Sequence, residues 1–251
     1  MVGVSIFVHA VKMVLNNLGP ALRIGVVPLL ILAIAGWALA PAAPPPGEIA
    51  LPTAAGFGGG FLLMVVSILV SLWIAVAWHR YILLEEQPGA FLPQWNGAAI
   101  WAYFKVALIL GLLLIVVAVP LMLLGGFVLF ASLAEDGQPG LVTGFLFFLL
   151  VGLPLTWLGY RLGASLAGAA TDAPLSLGDS WRATAPGAAD LVVLALVSVV
   201  ALWLPSFIVA ELPRVLSVPL GAVIQWAATM IGVGVITTIF GHYVQGRALN
   251  A

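Results

Sequence analysis

Six stretches of this chain run long enough, with almost no charge, to cross the hydrocarbon of a bilayer, and that feature leaves few folds open. A helix rises 1.5 Å per residue, so about 20 apolar residues cover roughly 30 Å of hydrocarbon. The stretches are 22–40, 57–84, 101–133, 141–170, 188–212 and 216–244. Each is apolar on every side, whereas lipid-facing barrel strands would alternate apolar and polar residues in short runs. Only a helix satisfies its backbone within one such segment, so the pattern predicts an all-α fold, a polytopic membrane helix bundle with six transmembrane helices. Composition agrees: 63% of the 251 residues are hydrophobic and 7% charged, against about 25% charged in a soluble chain.

Charge excludes other classes. Eight Lys and Arg against nine Asp and Glu leave no basic surface to neutralise a nucleic-acid backbone. With no cysteine, disulfides, thiolate metal sites and thiol nucleophiles are absent. The basic residues set the orientation, because Lys and Arg accumulate in short cytoplasmic loops. Lys12, Arg23, Arg80, Lys105, Arg161, Arg182 and Arg247 fall on one side of the spans and Arg214 alone on the other. Both termini are therefore expected in the cytoplasm. The proline-rich stretch 41–52, the Glu135-Asp136-Gly137 turn and the 211–214 corner are expected to face outward. Arg23 before an apolar run ending Ala38-Leu39-Ala40 resembles a secretory signal, but Pro41 fits a cleavage site poorly, so the segment is read as a retained span.

The spans group in pairs. Ahead of each pair lies a short stretch too polar to span and too apolar to be a free loop: 4–18, 91–101 and 175–185. In the first, Ser5, His9, Lys12 and Asn16 recur at helical spacing, opposite Phe7, Val8, Val11, Val14, Leu15 and Leu18, which predicts an amphipathic helix broken at Gly19-Pro20. The second carries Trp95 and Trp101, which suit a headgroup layer. The third opens with Ser176 and Asp179 at capping-box spacing and carries Trp181 and Arg182. The pairs also close alike, with Trp78-His79-Arg80-Tyr81, Gly159-Tyr160-Arg161 and Gly241-His242-Tyr243. Three helix-hairpin units are predicted within one membrane domain, approximately 1–88, 89–172 and 173–251, each led by an amphipathic helix on the cytoplasmic face. Pro28, Pro120, Pro154 and Pro205 are expected to kink their helices. The motifs Gly140-x-x-x-Gly144 and Gly159-x-x-x-Gly163 place the fourth span centrally.

Few residues offer chemistry. Lys12, Arg80, Arg161 and Arg182 are candidates for contact with lipid headgroups or a partner subunit, Arg80 and Arg161 either by reaching to the interface or by holding an internal partner. His79 and His242 are weak candidates for haem ligands, and no cofactor is expected. Gln225, Thr229 and Thr237 would line a polar path if one exists, although Ser and Thr in such helices more often bond their own backbone. The adjacent Glu85 and Glu86 point about 100° apart and read as a solvated loop start. The chain has no His-Glu-x-x-His helix, no Gly-x-Ser-x-Gly elbow and no phosphate-binding glycine loop, so no enzymatic activity is expected.

An amphipathic N-terminal helix, six spans, and a Ser180-Trp181-Arg182-Ala183-Thr184 stretch leading into a hairpin resemble bacterial six-span inner-membrane families of unknown function, related to the membrane domain that precedes some glycerophosphodiester phosphodiesterases. The resemblance covers most of the chain and implies a membrane fold, with no catalytic residue carried over. The leading expectation is a non-enzymatic integral membrane protein that interacts with membrane lipids or serves as an accessory or scaffold subunit of a larger membrane complex. The alternative is a transporter or lipid translocase with a path between the hairpins.

Overall fold

The computed structural model describes residues 1–39, 54–136, 141–210 and 212–249. The expected outward features 41–52, Gly137 and Glu211 lie outside the described residues, as does Gly140. The regular structure of the described residues is all helical, in the order α1 (Val2–Asn16), α2 (Leu18–Ala38), α3 (Ala54–Leu84), α4 (Gly97–Asp136), α5 (Leu141–Phe147), α6 (Leu153–Ala170), α7 (Leu177–Ala183), α8 (Ala188–Ala210) and α9 (Arg214–Tyr243). Six helical segments are long and apolar enough to cross a membrane, and the chain is an integral, multi-pass membrane protein. A π-helical turn, Phe148–Gly152, joins α5 to α6. It lies just ahead of Pro154, which lacks the N–H that an α-helix would direct at residue 150, and the wider turn absorbs that defect. The chain stays helical through Pro28, Pro120 and Pro205, and also through Pro219.

Each pair of consecutive spans packs together, α2 on α3, α4 on α6 and α8 on α9, and the second helices of the three pairs, α3, α6 and α9, meet at the centre. The expected glycine spacing does not drive this packing. A side chain at Gly159 would meet nothing, and one at Gly163 would make only ordinary contact with Ile236. The close approach is at Gly3, where any Cβ would overlap the Asp190 carbonyl of α8, so α1 lies directly on α8.

The lead segments depart from expectation in two ways. On α1 the buried stripe is Gly3, Ile6, Ala10 and Val14, between the polar and apolar faces, while Val4, Val8 and Leu15 stay exposed. Small residues won over large ones there because the helix axis must come close to α8. Its break falls at Asn17, and Pro20 sits in the first turn of α2, where a helix has no partner for that N–H. The second lead segment is not a helix: residues 85–96 are irregular between Pro88, Gly89 and Pro93. Helix α4 starts at Gly97, capped by Asn96 Oδ1, which accepts from the Ala99 N–H at 3.0 Å. The segment is pinned to α3 by the Trp73 indole, which donates to the Gln94 carbonyl at 3.2 Å and meets Trp95 edge to face. The third is α7, whose Ser176 cap accepts from the Asp179 N–H at 3.0 Å, as the spacing predicts.

Burial is uneven along the helices. On α3 the buried side chains begin at Val70 and run to Leu83; on α6 the unbroken run is Tyr160 to Ala170; on α9 they run from Met230 to Gly241. Toward the other end Leu30, Ile34, Trp37, Phe61, Leu62, Val119, Leu123 and Val223 are exposed. The core therefore occupies the half of the bundle that carries the cationic ends of α3, α6 and α9.

Candidate functional site

The described hydrogen bonds between separate elements that involve side chains also lie in this cationic half. Apart from the Trp73–Gln94 and Arg247–Leu83 bonds, they form three clusters, built around closing residues of the pairs.

The first holds Arg161. The side chain is 4% exposed, although its position two and a half turns before the end of α6 would let a long side chain reach outward. It stays inside because α7 supplies partners. Nε donates to Thr184 Oγ1 at 2.9 Å and Nη2 to the Trp181 carbonyl at 2.7 Å. The guanidinium lies 3.8 Å from the Trp181 ring centroid and 5.4 Å from that of Trp157. In return the Arg161 carbonyl accepts from Ser180 Oγ at 2.9 Å. No carboxylate bonds Arg161 among the described residues; indole faces and neutral acceptors hold the charge, each ring contributing about 0.5–2 kcal/mol. The Trp157 indole also donates to the Ala188 carbonyl at 2.9 Å, so one cluster joins α6, α7 and the start of α8.

The second holds Arg80, which ends α3 by a different route. Nε pairs with Glu86, and Nη1 donates to Asp172 Oδ2 and to the Ala170 carbonyl, both at 3.0 Å. Glu86 is thus an ion-pair partner and not a free loop residue. Glu85 and Asp172 have positive φ, 58° and 56°, in the left-handed region that closes a helix C-terminus. Those turns bring the Glu86 and Asp172 carboxylates back to Arg80. Nearby, Tyr81 donates its hydroxyl to Asn17 Oδ1 at 2.7 Å, tying α3 to the α1–α2 turn.

The third joins α3 to α9. His79 is fully buried, with Nδ1 2.9 Å from Thr237 Oγ1. Thr237 donates its one hydroxyl proton to the Val233 carbonyl at 2.9 Å, so it accepts from His79. Nδ1 carries the proton, and Nε2 holds a lone pair with no hydrogen-bond partner among the described residues. His242 differs: its Nδ1 faces the Arg247 carbonyl at 3.2 Å. The two histidines lie on either side of the Thr237–Thr238 turn, each with its own backbone or hydroxyl partner.

The remaining sequence-predicted residues scatter. Lys12 is exposed on α1; Arg182 is exposed and pairs with Asp179 on its own helix. Gln225 is exposed and Thr229 half-buried; Thr229 donates to the Gln225 carbonyl at 2.8 Å, so that pair closes within α9, while Thr237 lies deep beside His79. Sequence reading singled out Arg161 without its walls, yet Ser180, Trp181 and Thr184 are the very residues that hold it, with Ser180 and Thr184 one helical turn apart. An apolar groove of about 410 Å³ between α3 and α4, lined by Ile68, Leu72, Trp95, Trp101 and Phe104, was also not foreseen. Exposed Lys12, Arg23 and Lys105 carry no ion pair among the described residues. The chain matches no protein-family model, no curated protein and no solved structure.

Proposed function

We propose that this is a non-enzymatic protein of a bacterial inner membrane that works through contact with lipid, its cationic end in the cytoplasmic headgroup layer and both termini in the cytoplasm. The observation that carries the reading is a division among the cations. Arg80, Arg161 and Arg182 are held by protein partners, whereas Lys12, Arg23 and Lys105 stand exposed without an ion pair among the described residues. A cation at the membrane surface contributes about 1 kcal/mol toward anionic lipid, so this set favours anionic headgroups around the bundle. The transporter alternative draws less support, because Gln225 and Thr229 bond within their own helix on a partly exposed face.

The test extracts the protein with its surrounding lipid from membranes of known phosphatidylglycerol and phosphatidylethanolamine content. Wild type is expected to retain phosphatidylglycerol above the bulk ratio, and K12Q/R23Q/K105Q to return to it. A wild-type ratio equal to bulk would reject the reading.

A further inference from the structure

Beyond that peripheral contact, the cationic end contains a small open cleft. A cavity of about 70 Å³ lies between α1, α3, α9 and the C-terminal tail. That is room for several water-sized groups, the scale of one phosphate. Its polar lining is His9, Thr237, Thr238, His242 and Arg247, and no carboxylate is among the described lining residues.

The tail is folded back to build this lining. Gly246 adopts φ +68°, a conformation open to glycine without strain, and so turns the chain after α9. The Arg247 N–H then donates to the Gly241 carbonyl at 2.8 Å, and Leu249 packs on the core. This places Arg247 over the cavity, where Nη2 makes one long bond, 3.4 Å, to the Leu83 carbonyl. Its other guanidinium donors have no hydrogen-bond partner among the described residues. The Arg247 carbonyl faces His242 Nδ1 and can only accept, so Nδ1 donates to it, and in the neutral ring Nε2 keeps a lone pair that accepts from a P–OH group. Thr237 and Thr238 direct their hydroxyl protons to the Val233 and Gly234 carbonyls, so the deep wall is already satisfied. What faces the space is the exposed Arg247 guanidinium and the half-buried His242 ring, over a closed floor.

We propose that this cavity binds a phosphate group, with Arg247 and His242 as its contacts. With no carboxylate among the described lining residues, the Arg247 guanidinium favours a compact oxyanion and offers it paired N–H donors, while His242 Nε2 accepts from its P–OH group. The phosphate belongs either to a lipid headgroup or to free phosphate, since the cavity opens at the level where both are present.

Titration calorimetry on the full chain in neutral detergent separates these sources, using inorganic phosphate, dihexanoyl phosphatidic acid and dihexanoyl phosphatidylcholine. Wild type is expected to bind at least one of the first two saturably. R247Q and H242Q should each weaken that binding about tenfold or more, the effect of losing one hydrogen bond to a charged group. R247K should recover part of it, and Q87A, exposed in the loop before α4 and away from the cavity, should bind as wild type. Binding of inorganic phosphate identifies a free-anion site; binding of phosphatidic acid alone identifies a headgroup site. The proposal is overturned if neither probe binds, if R247Q and H242Q bind as wild type, or if Q87A weakens binding equally. No bilayer is involved, so these results are independent of the phosphatidylglycerol ratio that tests the peripheral reading.

Discussion

The two halves of the bundle are made of the same kinds of side chain and are held in different ways. Trp78 and Trp37 show the contrast: Trp78 is 0% exposed among Val14, Ile24 and Met230, while Trp37 is 82% exposed at the far end of α2. Around Trp78, three clusters of side-chain hydrogen bonds tie α3 to α9, α3 to the end of α6, and α6 to α7. Around Trp37 no hydrogen bond between helices is described. Lipid is as apolar as leucine, so apolar surface gains little by leaving lipid for protein, and cohesion must come from close packing and polar contacts. The cationic half has both, and the opposite half presents its side chains to the hydrocarbon.

Substitutions can break or sharpen this contrast. The largest effect is expected for Trp78→Ala, which should lower stability by about 3–5 kcal/mol through the cavity it leaves, while Trp37→Ala changes it by less than about 0.5 kcal/mol. Denaturation of the detergent-solubilised protein by sodium dodecyl sulfate measures both; comparable losses would erase the distinction. Next is Arg161→Ala, which strips two hydrogen bonds to a charged group and two ring contacts from a buried position. About 2–4 kcal/mol should be lost, with Arg161→Lys between it and wild type, because an ammonium lacks the planar stacking surface. An alanine variant as stable as wild type would show that the indole box contributes nothing.

Smaller still is Asp172→Asn, about 0.2–1 kcal/mol, since that carboxylate is 71% exposed and screened while Arg80 keeps Glu86. A loss above 2 kcal/mol would make this ion pair a principal tie. The least effect concerns Asp179, outside the spans, whose carboxyl is held below its ordinary range by the Ser176 hydroxyl and Arg182. A depressed folded value means the contribution is complete above the unfolded carboxylate value, about 3.9, and is lost as pH falls through the lower folded value. Trp181 fluorescence should therefore shift only under strongly acid conditions, and Asp179→Asn should remove the shift.

What the sequence makes legible follows from this physics. Span number and helical class depend on run length alone, and the six runs reappear with their ends moved by a few residues. The Ser176 cap is a local rule and holds. Which side of a span faces protein is not a local property, because 74–78 and 115–119 read alike as apolar while only the first is buried. The partners of Arg80 and Arg161 lie 92 and 23 residues away and are set by the packing of α3 and α7 on α6. Residues 91–96 looked like the other lead segments in composition, but Pro88, Gly89 and Pro93 decide their backbone. Ser180, Trp181 and Thr184 were visible as a motif; their target became visible only when α7 was folded onto α6.

The central claim is that cohesion resides in the cationic half, and a scan along one helix tests it most directly. Alanine is placed singly at Leu62, Met64 and Leu69, all exposed on α3, and at Leu72, Ile74 and Leu83, all buried on it, with unfolding measured in one detergent system. The account predicts losses below about 0.5 kcal/mol for the first three and about 2–5 kcal/mol for the last three, with the step near Val70. A flat profile, or the larger losses at Leu62 and Met64, would contradict it.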